Sequence, residues 1–159
     1  MSVDTSAIGQ RTGAWRVALD RSVLANFAAA VGDRSAEYRS ADAPAPPTFT
    51  FAAPYWSGLS SDEQPADPTG AGGNPMHAIM GRLHAQGALV LHGEQEFVYH
   101  RTPVAGDVLD GVQTITDIYE KSTDTANMTF VVMETQWTDS RDGSPVVTER
   151  FNLIARLRK

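Results

Sequence analysis

Apolar residues recur at helical spacing early in the chain. Val23, Leu24, Phe27, Ala28 and Val31 share one face, Asp20 stands where an N-cap belongs, and Gly32 follows where a helix ends. The pattern predicts an amphipathic helix of about three turns. Ahead of it, residues 14–19 alternate loosely and read as a short strand, and residues 1–13 read as a polar N-terminal tail. Behind it, residues 33–47 carry Pro44, Pro46 and Pro47, which block helix and sheet alike. Residues 48–56 are apolar nearly all round, so they form either a buried strand or a buried helix. Residues 58–75 are punctuated by Pro65, Pro68, Gly70, Gly72 and Gly73 and read as a long flexible loop. Residues 76–91, with Met80, Leu83 and Ala88, fit a second helix.

From residue 93 the period changes to two. Gln95, Phe97 and Tyr99 fall on one face and Glu94, Glu96, Val98 and His100 on the other, which predicts a strand over 93–100. Further strands are expected over 108–119, 128–137 and 146–156. A turn over 102–107 separates the first two, and Asp142-Gly143 joins the last two as a hairpin. Four successive strands joined by turns make an antiparallel meander. The expected class is α+β, a sheet whose apolar face needs the segment starting at Thr48 as its cover.

At 159 residues and 17.2 kDa the chain fits one domain, taken as 14–159 with the loop inside it. Roughly two-thirds of its surface can be buried, enough for a core without staples. There are 0 cysteines, which excludes a disulfide framework, thiolate metal ligands and a cysteine nucleophile. The formal charge is -6, so no basic field exists to attract nucleic acid. The first residues lack an apolar signal region, and no apolar run approaches the length of about 18 that a membrane helix needs. The expected location is the cytoplasm, with no membrane contact.

Three groups of residues could carry chemistry. Asp33 follows a helix C-terminus, where Gly-Asp is also common simply as a turn. Pro47, Thr48 and Phe49 could open a helix whose first amides hold a carbonyl gaining negative charge, or could merely start a buried segment. His92 and Glu94 flank Gly93 two residues apart, so on a regular strand they share a face. They could pair as acid and base, or form an edge charge pair with no catalytic role. His77, His84 and His100 show no metal-ligand spacing, and no Gly-x-Ser-x-Gly elbow or phosphate-binding loop is present. No metal or cofactor is expected.

Taken in order, Trp15-Arg16-Val17, Phe27 to Asp33, Ala45-Pro46-Pro47-Thr48-Phe49 and Leu91-His92-Gly93-Glu94 through to Gly106-Asp107 resemble the MaoC-like dehydratases, and more narrowly their N-terminal, fatty-acid-synthase-type dehydratase domain. The resemblance runs from about residue 14 to the C-terminus and is most specific over 94–107. It implies a hot-dog fold, a curved antiparallel sheet wrapped round a central helix. The implied chemistry is (R)-specific hydration of 2-enoyl thioesters, or dehydration of 3-hydroxyacyl thioesters, of coenzyme A or acyl carrier protein. The catalytic motif of that family is Gly-Asp-x-Asn-Pro-x-His. Gly32 and Asp33 match it, but Ser35, Ala36 and Tyr38 replace the Asn, Pro and His. Tyrosine, with an ordinary pKa near 10, is a poor base at neutral pH. In this family such degraded domains commonly pair with a second hot-dog that keeps the Asp/His pair, within one chain or between two subunits, and the degraded half shapes the acyl tunnel.

The resemblance therefore implies an oligomer, with itself or with a catalytic MaoC-like subunit. It gives Asp33, Tyr38, His92 and Glu94 as candidate catalytic residues. Thr48 and Phe49 are the amides that would polarise the thioester carbonyl, with Pro47 and Gly93 beside the substrate. Two other readings stand beside it: a non-catalytic acyl-CoA-binding hot-dog, which would bind without turnover, and a hot-dog thioesterase, which would release free thiol.

Overall fold

The computed structural model describes residues 4–55 and 75–159. In chain order they form strand β1 (Arg11–Ala18), helix α1 (Arg21–Ala30), a short helical turn (Ala36–Arg39), the one-turn helix α2 (Phe49–Ala52) running into a second turn (Ala53–Tyr55), helix α3 (Pro75–Ala85), and strands β2 (Leu89–Tyr99), β3 (Val108–Ser122), β4 (Ala126–Asp139) and β5 (Pro145–Arg158). The expected loop at 58–75 lies almost wholly outside the described residues.

Local chemistry accounts for α1 as expected. The Asp20 side chain accepts from the Ser22 amide at 2.7 Å, and Gly32 ends the helix at φ 85°, a left-handed value that favours glycine. The described part of the ambiguous segment resolves as helix over Phe49–Ala52, only one turn, because Pro54 follows. The second helix is shorter than expected. It ends at Ala85, with Gly87 at φ 79°, and the apolar run from Leu89 already belongs to β2.

All strand pairs are antiparallel, and the sheet order is β1-β3-β4-β5-β2. This corrects the four-strand meander. Only β3-β4-β5 follow one another, whereas β2 leaves its successor and pairs with β5. The crossing from β2 at one edge to β3 beside β1 is stapled by ion pairs. Arg101 donates to Asp107 at 2.6 Å and to Asp139 at 2.8 Å, and the Val104 amide also donates to Asp107 at 3.0 Å. The Gly106 amide and the Leu19 carbonyl then tie the turn to the end of β1 at 2.8 Å. The 94–107 stretch that carries the family resemblance is thus largely the brace of this crossover.

One face of the sheet is covered. Phe49 and Ala53 pack with Leu24 of α1 on Val17, Leu109, Trp137 and Val147, while Met76 and Ile79 of α3 pack on Ile115, Val131 and Met133. Each fully buried Leu, Ile, Val or Phe contributes about 1.5–3 kcal/mol, so this face dominates stability. The segment before β1 joins in. Ala7 is buried against the α3 cluster and the Gly9 amide donates to Ile115 at 2.8 Å. The polar tail therefore does not reach residue 13: the strand begins at Arg11, and the residues just before it are hydrogen-bonded to β3.

Candidate functional site

The corner after α1 brings Asp33 and Tyr38 together. Asp33 Oδ1 accepts from the Ser35 amide at 2.9 Å and from the Ser35 hydroxyl at 2.6 Å, and these bonds hold its carboxyl below the usual carboxylate range. Tyr38 is buried, and burial, with the Asp33 charge second, pushes its phenol above its ordinary value. A depressed acid beside a raised phenol has neither member near neutrality, so this corner is a poor acid/base pair.

Thr48 and Phe49 do not present free amides. The Thr48 amide donates to the Tyr99 hydroxyl at 3.3 Å, and the Phe49 amide donates to the Pro46 carbonyl at 3.1 Å. Thr48 sits at φ 69°, a left-handed conformation that costs a non-glycine residue about 1–3 kcal/mol. The Phe49 ring is packed edge-on to Phe27 in the core at 5.3 Å, while Pro47 remains exposed. An oxyanion role would require displacing the Tyr99 hydroxyl from Thr48.

His92 and Glu94 part company. The pairing of β2 with β5 shifts between His92 and Gln95, which breaks the alternation. The His92 ring lies 4.4 Å from the Phe151 ring, whereas Glu94 accepts from the Asn152 amide nitrogen at 3.4 Å. Phe151 and Asn152 are consecutive on a strand and point to opposite faces, so the expected shared face is lost. Gly93 at the bulge has a packing reason: a Cβ there would stand 2.8 Å from the Ile154 side chain.

The most unusual group is one that the motif reading passed over. Glu149 of β5 is 3% exposed, and its Oε1 accepts from the Trp137 indole N–H at 3.1 Å. Burial pushes its carboxyl up to about 7. The buried Thr50 hydroxyl lies beside it and softens that rise, but falls outside hydrogen-bond geometry and has no partner. Tyr99 of β2 lies within the reach of its charge. Glu149 opens onto a cavity of about 290 Å³ between α2, the start of α3 and the covered face of the sheet. Trp15, Phe51, Met133, Trp137 and Phe151 supply its apolar wall, and Thr50, Gln113 and Thr135 its other polar groups. A sequence signal for it exists. Val147, Glu149, Phe151 and Leu153 share the inward phase of β5, and a carboxylate in that phase must be buried.

Among the described residues no group of three or more His, Asp or Glu side chains could hold a metal ion, and no helix is long and apolar enough to cross a membrane.

The model of the FAS1-like, dehydratase domain region matches residues 6–149. The chain belongs to this dehydratase family. The UPF0336 protein of Saccharopolyspora erythraea is 32% identical over 168 residues, covering 98% of this chain and 93% of that one. Among solved structures, the Mycobacterium tuberculosis ChsH1-ChsH2 complex aligns with a TM-score of 0.67 at 17% identity, covering 91% of this chain and 83% of the other. The C-terminally truncated HadBC complex of the same organism, a 3R-hydroxyacyl-ACP dehydratase, aligns with a TM-score of 0.63 at 18% identity, covering 96% and 99%. At these identities the structural matches establish the fold, a hot-dog with a curved antiparallel sheet.

Proposed function

We propose that this FAS1-like dehydratase domain is the substrate-shaping subunit of an (R)-specific 2-enoyl-thioester hydratase, or equally of a 3-hydroxyacyl-thioester dehydratase, completed by a MaoC-like subunit with an intact Asp/His pair. The observation that carries this reading is the Asp33–Tyr38 corner. The family chemistry moves one proton to or from water and another to or from the α carbon, and it needs a base near neutrality. Here Asp33 is held low by Ser35, and Tyr38, the residue we align with the motif's histidine, is a buried phenol. Two similar folds, HadBC and ChsH1-ChsH2, are described as complexes of two different chains, which supports a two-chain assembly. In such an assembly the partner supplies Asp and His, and this chain contributes acyl-binding surface, with Pro47, Thr48, Phe49, His92 and Gly93 nearest the thioester.

Co-expression with a MaoC-like chain carrying the full Gly-Asp-x-Asn-Pro-x-His motif tests it. The expected result is a stable complex that hydrates crotonyl-CoA, whereas this chain alone does not do so at enzymatic rates. A purified homomer that hydrates crotonyl-CoA and loses that activity on Asp33→Ala would overturn the proposal. Acyl-CoA binding without turnover, even with the partner present, would establish the non-catalytic reading instead.

A further inference from the structure

The cavity beneath α2 has features that core packing does not require. A buried carboxylic acid in an apolar wall is costly, as is a buried hydroxyl with no partner, and here the two stand side by side. Trp137 occupies only Oε1 of Glu149, leaving the second carboxyl oxygen for another bond. The space is roughly twice the ~150 Å³ that admits benzene, so a chain of about seven carbons fits. Tyr55, highly exposed, stands at its mouth.

We propose that this cavity binds an aliphatic chain carrying an uncharged oxygen acceptor, held between the Glu149 carboxyl and the Thr50 hydroxyl. Both can donate to one carbonyl-type oxygen, which has two lone pairs. The proposal deepens the thioester reading by naming the acyl groups favoured: those with a neutral oxygen along the chain, rather than plain alkyl groups. It also makes binding depend on pH. Glu149 donates only when protonated, and burial raises its carboxyl to about 7. The titratable side chains facing it among the described residues are Tyr55 at the cavity mouth and Tyr99 on β2. The residues packed on it from β4 and α2, Trp137, Thr135 and Thr50, carry no charge.

The test uses the full chain and probes without coenzyme A, so that its failure is distinct from failure of the hydratase reading. The probes are 2-heptanone, heptylamine and heptanoate, which share a chain and differ in the head group. The readout is the indole N–H resonance of Trp137, whose proton bonds Glu149. The expected result is that 2-heptanone binds most tightly of the three and loses about tenfold in affinity from pH 6 to pH 8, as the acid form falls from nearly complete to a minor fraction. Glu149→Gln flattens that pH profile while retaining binding, because an amide N–H still donates. Thr50→Val, which keeps the shape, weakens binding about fivefold at every pH, the order expected for one hydrogen bond. Preference for heptylamine would make this a cation site and overturn the proposal. Equal binding of all three probes would do so too, as would an unchanged profile in both variants.

Discussion

Glu149 makes the behaviour of the molecule at the residue scale depend on pH. Its carboxyl rises from 4.5 to about 7 on folding, chiefly by burial. A raised acid stabilises the fold fully below the unfolded value, and that contribution is lost as pH rises through the folded value. The difference corresponds to about 3 kcal/mol between acid and neutral solution. The expected outcome is that Glu149→Gln gains stability relative to the parent between pH 4.5 and 7.5, as read by urea unfolding at each pH. A constant difference across that range would refute the burial argument. Asp139 works in the opposite sense. It accepts from Arg141 and Arg101, which keep its carboxyl far below the ordinary range. Its stabilisation is present above the ordinary carboxylate pKa and fades as pH falls through the folded value. Asp139→Asn should therefore lower Tm at pH 7 and narrow the gap to the parent in strong acid, which a Tm series resolves. The sequence drew attention to Asp33 and Tyr38 only through a partial resemblance to a family motif, of which Gly32 and Asp33 alone match. Glu149 was equally visible by its phase in β5, but period reasoning treats an inward position as apolar and passes over the exception.

Among the elements, local signals proved readable and long-range ones did not. The 3.6 period with Asp20 and Gly32 is contained within α1, and the alternation of β3, β4 and β5 is contained within each strand. The order of strands depends on which edges meet after the crossover at residues 100–107, a choice made by Arg101, Asp107 and Asp139 across 38 residues of chain. The bulge at Gly93 is likewise a matter of two strands, since Ile154 and the Asn152 carbonyl leave no room for a side chain. Gly111 shows the same constraint on the covered face. It pairs with Trp137, and a Cβ there would stand 2.5 Å from the indole ring. Gly111→Ala must push the Trp137 ring aside, at a cost of about 1–3 kcal/mol. Equilibrium unfolding should register that loss, and near-UV circular dichroism should register the displaced indole. An alanine variant as stable as the parent would mean that the ring has room to move.

For the whole molecule, the open question is the β2 edge. β2 is the outermost strand on its side of the sheet, 11 residues long, with Leu89, Leu91, Val98 and Tyr99 exposed and no lysine to discourage pairing. Such an edge is a template for another strand. If a second copy paired with it antiparallel about its midpoint, Glu94 would stand opposite its own copy, and like charges directly opposed on a ladder are unfavourable. A different subunit with a neutral or basic residue at that place meets no such cost. The acidic midpoint therefore disfavours self-pairing at this edge. Glu94→Gln removes the repulsion without altering the strand's shape. It should raise self-association of the isolated chain in sedimentation velocity at matched concentrations. If Glu94→Gln and the parent sediment alike over a wide concentration range, the edge is not where copies meet, and the charge at its centre has no part in choosing the partner.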